Sequence, residues 1–249
     1  PLAEADKLRT ALLRAVGHDL RSPLASAKAS VTSLRSDDVE WTESEREELL
    51  ETADESLDRL SRLVDNLLDL SRLQAGVLPV FTRPMALDEI MPGALDELGD
   101  DADQVMVDIP HTLPLVEADP ALLERVVANL LANAIRYFPA GRPPLVTGSA
   151  LGDIVEIRVI DRGPGIPRAD RDRVFAPFQR LGDTDNTVGV GLGLALARGL
   201  AEAMHGTLQP EDTPGGGLTM VVAIPASPVR PADAPVPGAR ERSEREAHE

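Results

Sequence analysis

The sequence predicts two folds in series, a helical hairpin that pairs with a second copy as a four-helix bundle and then an α/β sandwich. Three observations carry this. Residues 1 to about 76 hold glycine only at Gly17 and Gly76 and proline only at Pro1 and Pro23, with apolar residues at spacings of three and four. Residues 78–225 alternate short β-rich runs with helical patterns. Residues 226–249 are rich in Pro, Ala, Arg and Glu with almost no large apolar side chains, the composition of a disordered tail. The expected limits are therefore 1–77, 78–225 and 226–249.

In the hairpin, one stripe runs Leu13, Val16, Leu20, Leu24, Ala27, Val31, Leu34, and Ser36-Asp37-Asp38 breaks it. A second runs Leu50, Ala53, Leu57, Leu60, Val64, Leu67. It opens on Thr42-Glu43-Ser44-Glu45, the spacing of a capping box, and Gly76 supplies a stop. Apolar residues such as Leu12, Leu49 and Leu63 lie beside the seams. Two helices alone cannot bury faces this broad, so a bundle made by two chains is expected.

In the second region, β-rich runs occur at 105–109, 154–160 and 218–224, and helical patterns at 87–98, 120–138 and 192–205. This predicts helices on one face of a mixed sheet.

Composition excludes several functions. A net charge of −17 disfavours nucleic-acid binding, which needs a basic surface. Absence of cysteine removes disulfides and thiolate metal sites, and four histidines are too few for a His cluster. Lysine occurs only at Lys7 and Lys28, and no G-x-x-x-x-G-K-[ST] is present. No apolar run has the length of a membrane span, and the chain opens on Pro1, so it is expected to be a soluble piece of something longer.

Four segments carry chemistry. His18 lies two residues from Val16 and Leu20, roughly 200° around the helix from each, and so points away from the seam. Asp19 follows it, and a carboxylate there can hold one imidazole proton and make the other nitrogen more nucleophilic. Pro23 removes a helical hydrogen bond, so a bend is expected one turn on. Taken alone, this pattern is shared by surface histidines.

The helix over 122–138 places Asn129, Asn133, Arg136 and Tyr137 on one face, with Leu122, Val126, Leu130, Leu131 and Ala134 on the other. Asparagine is a poor helix former, but its amide oxygen is a hard, neutral ligand suited to Mg²⁺. Arg136 can meet a phosphate, and Tyr137 a sugar or base.

Asp161-Arg162-Gly163-Pro164-Gly165 follows the strand 154–160. A carboxylate there accepts from the adenine amino group and repels the guanine carbonyl, while Gly163 and Gly165 leave room for a flat ring.

Gly189-Val190-Gly191-Leu192-Gly193-Leu194 opens the last helix, where backbone N–H groups and the helix dipole favour phosphate. The polar stretch 180–188 before it suits a lid. Phosphate charge must then be met by Mg²⁺, backbone and arginine.

The order of these segments resembles the sensor histidine kinases of two-component systems over residues 7–225. Gly17 to Leu24 looks like the H-box, which implies His18 as phosphoacceptor and Asp19 as its acid/base partner. Asn129 to Tyr137 looks like the N-box, implying Mg²⁺ on Asn133 with Asn129, Arg136 and Tyr137 near the nucleotide. Asp161 to Gly165 looks like the G1 box, with Asp161 on adenine. Val174-Phe175-Ala176-Pro177-Phe178 looks like the F-box, Gly189 to Leu194 like the G2 box, and Gly215-Gly216-Gly217 like the final glycine box.

Ser22 stands where threonine is usual at a position that aids phosphatase chemistry. Arg136 replaces a frequent lysine, and Phe138 a frequent small polar residue. Leu8 to Leu13, the H-box, Glu124-Arg125-Val126 and Val188 to Leu194 resemble most the branch of the family linked to potassium supply.

The resemblance implies an ATP- and Mg²⁺-dependent homodimer that passes phosphate to a response regulator. It also implies a cytoplasmic location, with the inner membrane reached through segments upstream. Two other functions share parts of this pattern. An ATPase of the same superfamily needs a carboxylate one turn before the metal-binding Asn, where this chain has Asn129. A degenerate, non-catalytic dimerisation module does not require Asn133, Asp161, Gly163, Gly165 and Gly191.

Overall fold

A computed structural model describes residues 17, 20–36, 39–139, 141–179 and 191–228. They fall into two compact units, one within Pro1–Leu78 and Arg168–Leu196, the other within Pro79–Pro167 and Ala197–Glu249. His18, Asp19, Leu13, Val16, the stretch 180–188, Gly189 and residues 229–249 lie outside the described residues.

In the first unit, α1 covers residues 20–34 and α2 covers Glu43–Gln74. Pro23 sits inside α1, buried, and the helix continues through it. The Trp41 indole Nε1 donates to the Ser33 carbonyl at 3.0 Å and pins the connection between the helices.

Helix α2 starts on the expected capping box. The Thr42 hydroxyl accepts from the Glu45 N–H at 3.3 Å, and the Thr42 N–H donates to the Glu45 carboxylate at 2.8 Å. The Thr42 N–H, joined by the Thr42 hydroxyl donating to the same carboxylate oxygen at 2.8 Å, holds the Glu45 carboxyl below its ordinary range. The helix ends in a Schellman turn on Gly76, at φ +66°. Val77 N–H donates to the Arg72 carbonyl and Gly76 N–H to that of Leu73, each at 3.0 Å.

The apolar seams divide differently from the sequence reading. Pro23, Ala27, Ser30, Ala53 and Leu70 are buried, with Leu49 and Leu63 half-buried. Leu24, Val31, Leu50, Leu57, Val64 and Leu68 are between 41% and 52% exposed. The stripe therefore contains two faces, and heptad spacing in sequence does not separate the inner from the outer one. Residues 168–196 group with this hairpin, where Leu192 and Phe178 pack with Leu63 and Leu70.

In the second unit, a mixed five-stranded sheet runs β2-β4-β5-β7-β6. The strands are β2 (Met106–Asp108), β4 (Leu145–Leu151), β5 (Ile154–Ile160), β6 (Thr207–Asp212) and β7 (Leu218–Pro225). Among the described residues of this sheet, β2 and β4 alone pair in parallel. A separate antiparallel pair joins β1 (Arg83–Met85) to β3 (Val116–Ala118). Strand β5 alternates strictly, with Val155, Ile157 and Val159 buried on one face. That face meets α4 (Pro120–Tyr137), whose Leu123, Val126, Val127, Leu130 and Leu131 are fully buried.

Three expected elements change. The helix expected over 87–98 is a 3-10 turn, Leu87–Ile90, followed by α3 (Met91–Asp96). Pro92 lacks an N–H and suits a helix start, so the helix restarts there. Helix α5 (Gly193–Ala203) stops before the expected His205. Finally, the tail drawn from residue 226 begins with two held residues. Ala226 N–H donates to the Asp153 carbonyl at 2.7 Å and Ser227 N–H to that of Leu115 at 2.6 Å.

Candidate functional site

The α4 helix brings the polar face first. Asp119 caps its N-terminus, its Oδ1 accepting from the Leu122 N–H at 3.3 Å, and Pro120 follows at the first helical position. Asn129, Asn133 and Arg136 are half-buried along one side, and Tyr137 is exposed at the end. The Asn129 amide donates to the Arg125 carbonyl at 2.8 Å, which leaves its oxygen as an acceptor. The Arg136 guanidinium sits 5.2 Å from the centre of the Tyr137 ring, a cation–π contact that orders both side chains.

Asp161 is at the end of β5, buried, with 5% of its surface exposed. Its Oδ1 accepts from the Gly163 N–H at 2.8 Å and the Leu218 N–H at 3.2 Å. Its own N–H donates to the Leu218 carbonyl at 2.8 Å. Both carboxylate bonds fall on one oxygen, so Oδ2 remains for a ligand among the described residues. Burial pushes the Asp161 carboxyl above its ordinary range, and the Gly163 and Leu218 hydrogen bonds oppose that shift.

The glycines let these parts approach. A β-carbon on Gly163 would lie 2.5 Å from the Tyr137 carbonyl oxygen. One on Gly165, at φ +72°, would lie 3.1 Å from the Gly217 carbonyl oxygen, and one on Gly217 would overlap the Asp161 carbonyl. The Asp161 loop is thus in backbone contact both with the end of α4 and with the last glycine loop. This gathers Asn129, Asn133, Arg136, Tyr137, Asp161, Gly163 and Gly165 within one unit.

Gly191, Leu192, Gly193 and Ser22 belong to the other unit. Gly191, at φ +69°, accepts a 2.9 Å bond from the Phe178 N–H, and a β-carbon on it would lie 2.6 Å from the Gln179 carbonyl. Leu192 is buried beside Leu70, and Gly193 opens α5. Ser22 is exposed on α1.

The sequence reading did not single out Asp119, Arg162, Thr213 or Thr219. Asp119 also accepts from the Phe81 N–H at 2.8 Å, and the Asp-Pro pair at a helix start was its signal. Thr213 and Thr219 are buried and share a 2.9 Å hydroxyl bond beside Asp161, a pairing that sequence spacing does not reveal.

The arrangement provides a neutral amide ligand, a phosphate-seeking guanidinium and a buried acceptor for an amino group. Residues 118–228 match the family described as histidine kinase-, DNA gyrase B- and HSP90-like ATPase, and residues 8–76 match the His Kinase A (phospho-acceptor) domain. A phospho-acceptor hairpin in series with this ATPase fold defines the class, and the chain belongs to the sensor histidine kinase family.

Within that family it is similar to Sensor protein KdpD. The Rathayibacter rathayi protein is 51% identical over 244 residues, covering 96% of this chain and 28% of that protein. The Mycobacterium tuberculosis protein is 49% identical over 238 residues, covering 92% and 27%. The chain therefore spans little more than a quarter of these relatives. The solved histidine kinase AdeS of Acinetobacter baumannii, 24% identical, shares the fold at a TM-score of 0.64, covering 84% of this chain and 98% of that one.

Proposed function

We propose that the chain is the catalytic core of a sensor histidine kinase. In this reading it moves the γ-phosphoryl group of ATP onto a ring nitrogen of His18, with Asp19 as acid/base partner, and then to an aspartate of a response regulator. Residues 1–77 form the dimerisation and phosphotransfer hairpin, 78–225 the catalytic domain, and 226–249 a tail. Asp161 accepts from the adenine amino group, while Arg136 and Tyr137 hold phosphate and sugar or base. Gly163 and Gly165 make room for the ring, and Gly189, Gly191, Leu192 and Gly193 present backbone to the phosphates.

The Asn133 amide suits Mg²⁺, with Asn129 one turn away offering an oxygen that accepts no bond among the described residues. The ion supplies charge neutralisation of the phosphates. The activity proposed is that of a kinase, and Ser22, where threonine is usual, departs from the pattern that aids partner dephosphorylation. Similarity to KdpD supports a place in potassium-responsive signalling, in a protein held at the inner membrane by other segments. No described helix is long and apolar enough to cross a membrane.

The observation that carries the reading is Asp161, buried with one oxygen fixed and one available, beside the end of the N-box helix. An amide at 129 in place of a carboxylate favours transfer over hydrolysis. The test is incubation with γ-labelled ATP and Mg²⁺. The expected product carries an acid-labile, alkali-stable label that His18→Gln removes. Full labelling of His18→Gln overturns the assignment.

A further inference from the structure

The three glycines 215–217 all take positive φ, at +87°, +101° and +114°. Such a run has the largest conformational freedom a chain can have, and ordering it is costly. Yet Leu218 N–H, the next donor along, is one of two that fix the Asp161 carboxylate. Within the turn, Gly216 N–H donates to the Thr213 carbonyl at 2.9 Å and Thr213 N–H to that of Gly217 at 3.3 Å. The outer end is tied by Arg162, whose Nη1 donates to the Pro214 carbonyl. A β-carbon on Gly215 would lie 3.4 Å from the same nitrogen.

We infer that Arg162 is a positioning residue for base selection, acting by stapling the Pro214–Gly217 turn to the Asp161 loop so that Leu218 N–H holds the carboxylate in its acceptor pose. The inference rests on the reading of Asp161 as the adenine acceptor. Arg162 itself touches no nucleotide in it. A charge-assisted bond to a carbonyl is strong for a solvent-exposed contact, because the guanidinium is always charged.

The test compares the full chain with Arg162→Met, which keeps the stem and removes the donor, and Arg162→Lys, which keeps one. Affinities for ATP and for inosine triphosphate, which bears a carbonyl in place of the amino group, are measured alongside backbone amide exchange. Arg162→Met is expected to lower the preference for ATP about tenfold, the worth of one charged hydrogen bond. The loss falls on ATP affinity, and exchange at Gly216 and Leu218 becomes faster. Arg162→Lys restores most of the preference.

Equal weakening toward both nucleotides assigns Arg162 to the phosphates and overturns the inference, as does unchanged exchange or an unchanged preference. If the wild type binds both nucleotides alike, the adenine reading of Asp161 falls instead, and the exchange measurement still decides whether Arg162 holds the turn.

Discussion

The Cα of Gly163 stands against the carbonyl of Tyr137 so closely that a β-carbon there would lie 2.5 Å from the oxygen. This contact joins the end of α4 to the loop bearing Asp161. Two backbones cannot give way as a flexible side chain can. Gly163→Ala is therefore expected to cost about 1–3 kcal/mol of stability in the second unit, the usual penalty of overpacking. It should also weaken ATP binding far more than Gly141→Ala, where a β-carbon meets nothing within 4 Å but φ is +81°. Calorimetric titration with ATP and thermal unfolding of both variants check this. Equal ATP affinity in the two would remove the contact from the site.

Asp161 binds function against stability. Burial raises its carboxyl above the ordinary range, so the folded state takes up a proton at a higher pH than the unfolded chain does. The ionised form costs stability at neutral pH. That cost is relieved as pH falls through the raised value and is fully gone below the unfolded value of about 3.9. Asp161→Asn keeps an oxygen for the Gly163 and Leu218 bonds and has no charge to bury. Its Tm should exceed that of the wild type at pH 7, and the difference should close as pH falls. The same change should lose the preference for adenine. A Tm gap that is constant with pH would show that ionisation is not the cause.

The parts legible in sequence were those set by local periodicity. The β-rich run 154–160 matched β5 to the residue, and Thr42 with Glu45 marked the start of α2. Strand β4 was hidden by Gly148, whose β-carbon would lie 2.7 Å from the Leu113 side chain, so a tertiary contact chose the residue there. Strands β1 and β3 are three residues each, too short for a period. For the site, residue types were legible but not their assembly. Asp161 is fixed by Leu218, 57 positions away, and Arg162 reaches Pro214 across 52, distances no motif spacing records.

Helix α5 ends on a residue poorly suited to its place. His205 takes φ +61°, with its N–H on the Glu202 carbonyl at 3.0 Å and Gly206 N–H on that of Ala201 at 2.8 Å. This is a Schellman turn with histidine at the left-handed position usually held by glycine. Gly206 cannot exchange roles with it, since a β-carbon there would lie 2.6 Å from the Ala223 carbonyl. The left-handed penalty for a residue with a β-carbon is about 1–2 kcal/mol, offset in part by the greater unfolded-state freedom of glycine. His205→Gly should stabilise the chain by about 0.5–1 kcal/mol and leave ATP affinity unchanged. Chemical denaturation reads this, and a loss of stability would mean that the imidazole makes a compensating contact.

The outer stripe of the hairpin makes the last prediction. Leu50, Leu57 and Val64 repeat every seven residues along α2, and Leu24 and Val31 repeat at the same interval on α1, all close to half exposed. Isolated exposed apolar side chains are ordinary, but a heptad row on each of two adjacent helices is a seam that lacks its other half. A second copy supplies it with matching spacing, giving four helices around one core. Burying the exposed half of one leucine is worth about 1 kcal/mol, and in a symmetric dimer each substitution counts twice. Leu57→Glu adds the cost of placing a charge in the seam, so the dissociation constant should rise on the order of a hundredfold. Asp58→Ala, one position round the helix on an exposed charged face, should change it little. Sedimentation equilibrium of the three chains decides the matter. A wild type that stays monomeric at micromolar concentration, or a Leu57→Glu chain that dimerises as well as the wild type, would refute this use of the stripe.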